Sequence, residues 1–97
     1  MILATITAGQ YVIKDVHKSP NMKNVRVIVP KKWDCDYVNV ALWVKDSELK
    51  IPDPETYEFL LKDCGEILLK KVIQDTNRQY IYVPPHYDGQ QVLIVPV

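Results

Sequence analysis

The sequence predicts a mostly β protein built from two β-hairpin repeats, with one short connecting helix. Three observations lead there. The first is an internal repeat. Val25-Arg26-Val27-Ile28-Val29-Pro30-Lys31-Lys32-Trp33-Asp34 and Gln79-Tyr80-Ile81-Tyr82-Val83-Pro84-Pro85-His86-Tyr87-Asp88 share an apolar strand that closes on Val-Pro, then two residues, an aromatic and an aspartate. Three residues later Val38 and Val92 open a further strand, so that Val29/Val83, Pro30/Pro84, Trp33/Tyr87, Asp34/Asp88, Val38/Val92 and Val40/Ile94 correspond without a gap. The second is the period-two alternation of apolar residues inside these segments, the pattern of strands with one buried face. The third is size and composition. At 97 residues, 47% hydrophobic and 25% charged, the chain supports one small folded domain over 1–97 and is too apolar for intrinsic disorder.

The elements follow in order. Repeat one covers about 8–44. Gly9–Val16 reads as a strand, and Pro20-Asn21 supplies turn chemistry. Val25, Val27 and Val29 alternate with Arg26 and Ile28, and Pro30, with no N–H to donate, ends that strand. Lys31–Asp36 is a short connector, and Tyr37–Val44 a strand with Val38, Val40 and Leu42 on one face. Repeat two covers about 65–97. Gly65-Glu66-Ile67-Leu68-Leu69-Lys70 aligns with Gly9-Gln10-Tyr11-Val12-Ile13-Lys14 at a spacing two residues different, so the turn of the first copy is the longer one. A strand over 66–73, a turn at Asp75–Arg78, a strand over Gln79–Val83, a connector Pro84–Gly89 and a strand over Gln91–Val97 complete it. Gly89 stands where the first copy has Cys35, which suggests a backbone of positive φ there.

Residues 45–64 read as a helical linker. Asp53 is a candidate N-cap, Pro54 suits the first helical position, and Glu55 belongs in a first turn. Tyr57, Leu60, Leu61 and Cys64 would form the apolar stripe of a short helix ending near Gly65.

The chemistry for catalysis is missing. Ser19 and Ser47 have no motif around them, and neither His17 nor His86 is near a serine or cysteine in a known signature. Three glycines make no phosphate loop. Asp53, Glu55 and Glu58 read as a solvated acidic face. The expectation is a protein that is not an enzyme, with no cofactor and no metal site, since Cys35 and Cys64 stand alone without CxxC spacing. A disulfide between those two is open, although a cytoplasmic chain keeps thiols reduced. No stretch approaches the roughly 18 apolar residues of a membrane span, and Met1–Thr7 lacks the features of a signal peptide, so the expected compartment is the cytoplasm.

Charge carries the functional signal. Twelve basic and twelve acidic residues cancel, but residues 1–33 hold six basic residues against Asp15 alone, a net +5, and the rest is −5. Lys14, Lys18, Lys23, Arg26, Lys31 and Lys32 could line one surface, where phosphates would release counterions on binding. Arg26 could also pair with guanine in a major groove. In the second copy Tyr80 and Tyr82 take the outward positions of Arg26 and Ile28, and suit base stacking or a protein interface.

Strand, turn, strand, Val29-Pro30-Lys31-Lys32-Trp33, connector, strand resembles the SpoVT/AbrB-like swapped-hairpin barrels, and among them the small archaeal transposon-encoded proteins. Val83-Pro84-Pro85-His86-Tyr87 carries the motif weakly. The resemblance implies a small barrel of two interlocked β-hairpin repeats related by a pseudo-twofold axis and closed within one chain, as in MraZ-like members with two copies. It also implies a transcription regulator that binds double-stranded DNA, through the six basic residues named. The alternative is a protein-interaction module, antitoxin-like or a mobile-element accessory, with a protein partner or a second copy and no nucleic acid.

Overall fold

The computed structural model describes residues 3–53, 56–63 and 67–97. Among them the chain forms strands β1 (Leu3–Ala8), β2 (Val12–Asp15), β3 (Val25–Val29), β4 (Tyr37–Leu42), β5 (Glu48–Asp53), β6 (Thr56–Lys62), β7 (Ile67–Lys71), β8 (Ile73–Gln74), β9 (Gln79–Val83) and β10 (Gln91–Pro96). One 3-10 turn, Pro85–Tyr87, lies between β9 and β10. All strand pairs are antiparallel, in three sheets ordered β1-β6-β5, β2-β10-β4-β7 and β3-β9-β8. The fold is mostly β, as the alternation requires. The sheets are not joined by pairing into a closed barrel.

The four-stranded sheet is the middle layer. Its β10 is buried from Val92 to Val95, on both faces, because each face meets another sheet. On one face Val38, Val40, Val92 and Ile94 pack against Val25, Val27, Val29, Ile81 and Val83 of the β3–β9 ribbon, with Trp33 and Tyr87 closing the ends. On the other, Ala41, Leu93 and Val95 pack against Phe59 and Leu61 of β6, with Ile6, Tyr11, Trp43 and Tyr57 half-buried around them. Phe59 sits in an aromatic nest, with ring centroids 4.8 Å from Tyr11 and 5.6 Å from Trp43 in edge-to-face contact. Each fully buried aliphatic or aromatic side chain here contributes roughly 1.5–3 kcal/mol.

The helical linker is corrected. Glu48–Asp53 and Thr56–Lys62 are strands of one hairpin, in which Asp53 pairs with Thr56. The physical reason is the period: Tyr57, Phe59 and Leu61 alternate on the face turned to the middle sheet, and Phe59 and Leu61 are fully buried there. The helical stripe Tyr57–Leu60–Leu61 left Phe59 unexplained. Pro52 falls at a register shift in edge strand β5, between Lys50 and Asp53, where its missing N–H costs no ladder bond. Pro54, Glu55, Cys64, Gly65 and Glu66, which the helix and upstream alignment also used, lie outside the described residues.

Strand β1 was not foreseen. The strand read over 66–73 is broken at Val72 into β7 and β8, which lie in different sheets because Ile73 pairs with Tyr80 rather than with β4. The remaining repeat segments match the sequence more closely. The turn at Pro20-Asn21 is closed by the Met22 N–H donating to the Ser19 carbonyl at 3.1 Å, and the second turn by Asp75 N–H to the Arg78 carbonyl at 2.8 Å. The two predicted copies also pair in step. The rungs Val12–Ile94, Ile13–Leu93, Lys14–Val92 and Asp15–Gln91 have counterparts in Leu68–Val40, Leu69–Asn39, Lys70–Val38 and Lys71–Tyr37. The turn bond from Trp33 N–H to the Pro30 carbonyl (3.1 Å) is matched by Tyr87 N–H to Pro84 (3.1 Å). Likewise Val16 N–H to Gln90 (2.8 Å) is matched by Val72 N–H to Asp36 (2.8 Å), and Trp43 N–H to Gln91 (2.9 Å) by Val97 N–H to Tyr37 (3.1 Å). Gly89 has φ +81°, as its position suggested, whereas Cys35 is not among the residues of positive φ.

Candidate nucleic-acid interface and adjoining cleft

The β3–β9 ribbon presents an outer face because its inner one is committed to the core: β3 alternates buried and exposed along its five residues. Arg26 pairs across the strands with Tyr82, and Ile28 with Tyr80. The Arg26 guanidinium lies over the Tyr80 ring, 4.6 Å from its centroid, a cation–π contact that holds a long side chain in place. Tyr80 and Tyr82 meet edge to face with centroids 5.5 Å apart. Partial burial, then the hydrogen bond to Tyr82, pushes the Tyr80 phenol above its ordinary value, so it stays neutral at physiological pH.

The six basic residues named from the sequence do not share one surface. Arg26 is central on the ribbon, with exposed Lys23 before β3 and exposed Lys31 and Lys32 after it. Lys14 is on β2 at the border of the middle sheet, half-buried on the face that carries Val12 toward the core. Lys18 is in the loop after β2, half-buried, its N–H donating to Asp88 Oδ1 at 2.9 Å. The register adds residues that sequence reasoning missed. Because Val29 pairs with Gln79 and Val25 with Val83, exposed Arg78 falls at the Lys31 end of the ribbon and exposed His86 toward the Lys23 end.

Gln79 was also missed. It is 4% exposed and is the buried polar residue of the core. Its Nε2 donates to the carbonyls of Pro30 (2.9 Å), Lys31 (3.2 Å) and Trp33 (3.0 Å), while its Oε1 accepts from Gln74 Nε2 at 2.9 Å. The turn carrying Lys31 and Lys32 is thus held from behind. The available signal was a glutamine at the position where the first copy has Val25.

In front of that turn lies a cleft of about 600 Å³ lined by Gln10, Tyr11, Lys32, Trp33 and Tyr57 among others, next to a second of about 400 Å³ that shares Gln10, Lys32 and Trp33. Cys35 lines the smaller one as a free thiol. Burial, then the charges of Asp36 and Asp34, pushes that thiol up, which keeps it protonated and lowers its reactivity at neutral pH. Among the described residues no cluster of three His, Cys, Asp or Glu side chains is placed to hold a metal, and no helix is long and apolar enough to cross a membrane.

No family model, curated protein or solved structure matches this chain.

Proposed function

We propose that this protein is a small cytoplasmic DNA-binding regulator of the AbrB-like type, not an enzyme, and that the outer face of the β3–β9 ribbon is its contact with double-stranded DNA. The observation that carries the reading is Arg26 braced on Tyr80 at the centre of that face, with Lys23 at one end and Lys31 and Arg78 at the other. A guanidinium stacked by its face keeps its N–H edges free for a phosphate or for guanine O6 and N7. A major groove about 12 Å wide admits a two-stranded ribbon. Of the six residues in the sequence expectation, Lys23, Arg26, Lys31 and Lys32 remain as contacts, and Tyr80 and Tyr82 join them by bracing or stacking.

The architecture belongs to the same reading: two copies of one half, about 8–44 and 65–97, related by a pseudo-twofold axis and interlocked in the manner of a swapped-hairpin barrel. The matched rungs support it, as does the pairing of β3 with its counterpart β9 and of β4 with its counterpart β10. A single half would leave those strand edges and its apolar face open.

The test is a gel shift at low salt with random and genomic duplexes. Binding should weaken steeply with salt. Arg26→Ala should cost about tenfold or more in affinity, and Lys23→Ala should flatten the salt slope by about one unit, each with an unchanged circular-dichroism spectrum. Unretarded duplex at high protein concentration overturns the reading.

A second reading, a protein-interaction module, is favoured by β7. It is one of the two edges of the middle sheet and exposes Ile67 and Leu69 beside Tyr37 and Val97. A pull-down returning a protein partner with no nucleic acid retained would select it.

A further inference from the structure

We infer that the cleft between the 9–12 segment and the Pro30–Trp33 turn is a binding site for a small anionic ligand with a flat, two-ring-sized apolar body. The inference goes beyond DNA binding and does not depend on it. The cleft lies where the two cores diverge. Trp33 belongs to the core between the ribbon and the middle sheet, whereas Tyr11 and Tyr57 belong to the core on the other side. A junction between packed layers is where ligand sites tend to form, and about 600 Å³ is of the size such sites have.

The lining sets the chemistry. Tyr11, Trp33 and Tyr57 offer aromatic surface, and Tyr11 and Tyr57 are fixed against one another with centroids 5.0 Å apart. Among the described residues Lys32 is the one charged side chain lining the larger cleft, and Gln10 adds an amide. Among the described residues no carboxylate lines the larger cleft, and Asp34 lies in the smaller one beside it, so within the larger cleft an anion meets attraction. The wall is also prepared in advance. The three carbonyls held by the buried Gln79 amide fix the turn that carries Lys32 and Trp33, so little ordering is lost when a ligand enters. Tyr11 and Lys32 are particular to the first of the two aligned segments. The aligned positions of the second half hold Ile67 for Tyr11 and His86 for Lys32.

The experiment follows amide shifts in ¹H–¹⁵N spectra of the full chain titrated with 2-naphthoate, 2-naphthyl phosphate, 2-naphthalenemethanol and acetate. Saturable shifts at Gln10, Tyr11, Lys32 and Trp33 are expected with the naphthyl anions, the tighter of the two identifying the preferred head group. The neutral alcohol should bind about tenfold more weakly, the loss of one charge-assisted contact, and the ringless anion more weakly by about a hundredfold or more, the loss of the buried rings. Lys32→Met should abolish the advantage of the anion over the alcohol, and Tyr11→Ile should weaken anion and alcohol alike. The same spectra show that each variant is folded. The inference is overturned if the naphthyl anions give no saturable shift at these residues, if the alcohol binds as tightly as the anions, or if Lys32→Met keeps the anion's advantage. Failure to retard duplex DNA has no bearing on any of these outcomes.

Discussion

The stretches 12–42 and 68–96, aligned by sequence, both send buried side chains into one core, yet their outward surfaces differ. Inside, Val27 answers Ile81, Val29 answers Val83, Trp33 answers Tyr87, Val38 answers Val92 and Val40 answers Ile94, all buried. Outside, Arg26 answers Tyr80, Ile28 answers Tyr82, and Lys32 answers His86. Packing demands matched volumes and leaves the exterior free to change. The difference teaches where to look for function: at aligned positions that carry unlike chemistry. Both the braced Arg26 and the cleft around Lys32 are such positions, and so is Gln79 opposite Val25 in the alignment.

The comparison can be broken or sharpened by measurement. The largest effect is expected from emptying the equivalent core sites. Trp33→Ala and Tyr87→Ala should each cost about 3–5 kcal/mol, read as a drop in the urea midpoint. Similar losses at the two sites would bear out their equivalence, and a small loss at one alone would break it.

A middle-sized effect is expected at Gln79. Gln79→Val, the residue of the aligned position, keeps an apolar core but strips the donor from the Pro30, Lys31 and Trp33 carbonyls. Leaving buried acceptors unpaired should cost about 1–3 kcal/mol. The loosened turn should also be cut faster by trypsin at Lys31 and Lys32. Unchanged stability and cleavage would mean that the buried amide is not what holds the turn.

The smallest effect concerns Cys35, whose counterpart is Gly89. Since folding raises the thiol's pKa, through burial and then Asp36 and Asp34, the folded state holds its proton more tightly than the unfolded one. Its contribution to stability is therefore present below the ordinary thiol value and is lost as pH climbs through the raised one. At neutral pH Cys35 should be alkylated by iodoacetamide more slowly than glutathione. Equal rates would show that the site is open.

Much of this was legible in the sequence because strands of period two announce themselves when one face is buried. Gln79–Val83 and Tyr37–Leu42 were visible for that reason. So was the Gly89 turn, where the backbone needs a φ of +81° that glycine adopts freely. The hairpin of β5 and β6 was not. Tyr57, Leu60 and Leu61 satisfy a helical spacing, Asp53-Pro54 imitates a helix start, and a run this short fits either period until tertiary burial of Phe59 decides. The second core was illegible with it, and hence Tyr11 and Tyr57 could not be placed beside Trp33. Of the candidate surface, the basic composition was readable. Its division between the ribbon and the edge of another sheet depends on register, which local sequence does not state.

The position of β10 has a consequence for biogenesis. This strand lies between β2 and β4 and supplies buried residues to both cores, yet it is translated after every strand it touches. A nascent chain halted before Gln91 would lack Val92 and Ile94 of one core and Leu93 and Val95 of the other. Synthesis of that strand is thus what lets both cores be completed, and slow translation near it would prolong the exposure of apolar surface.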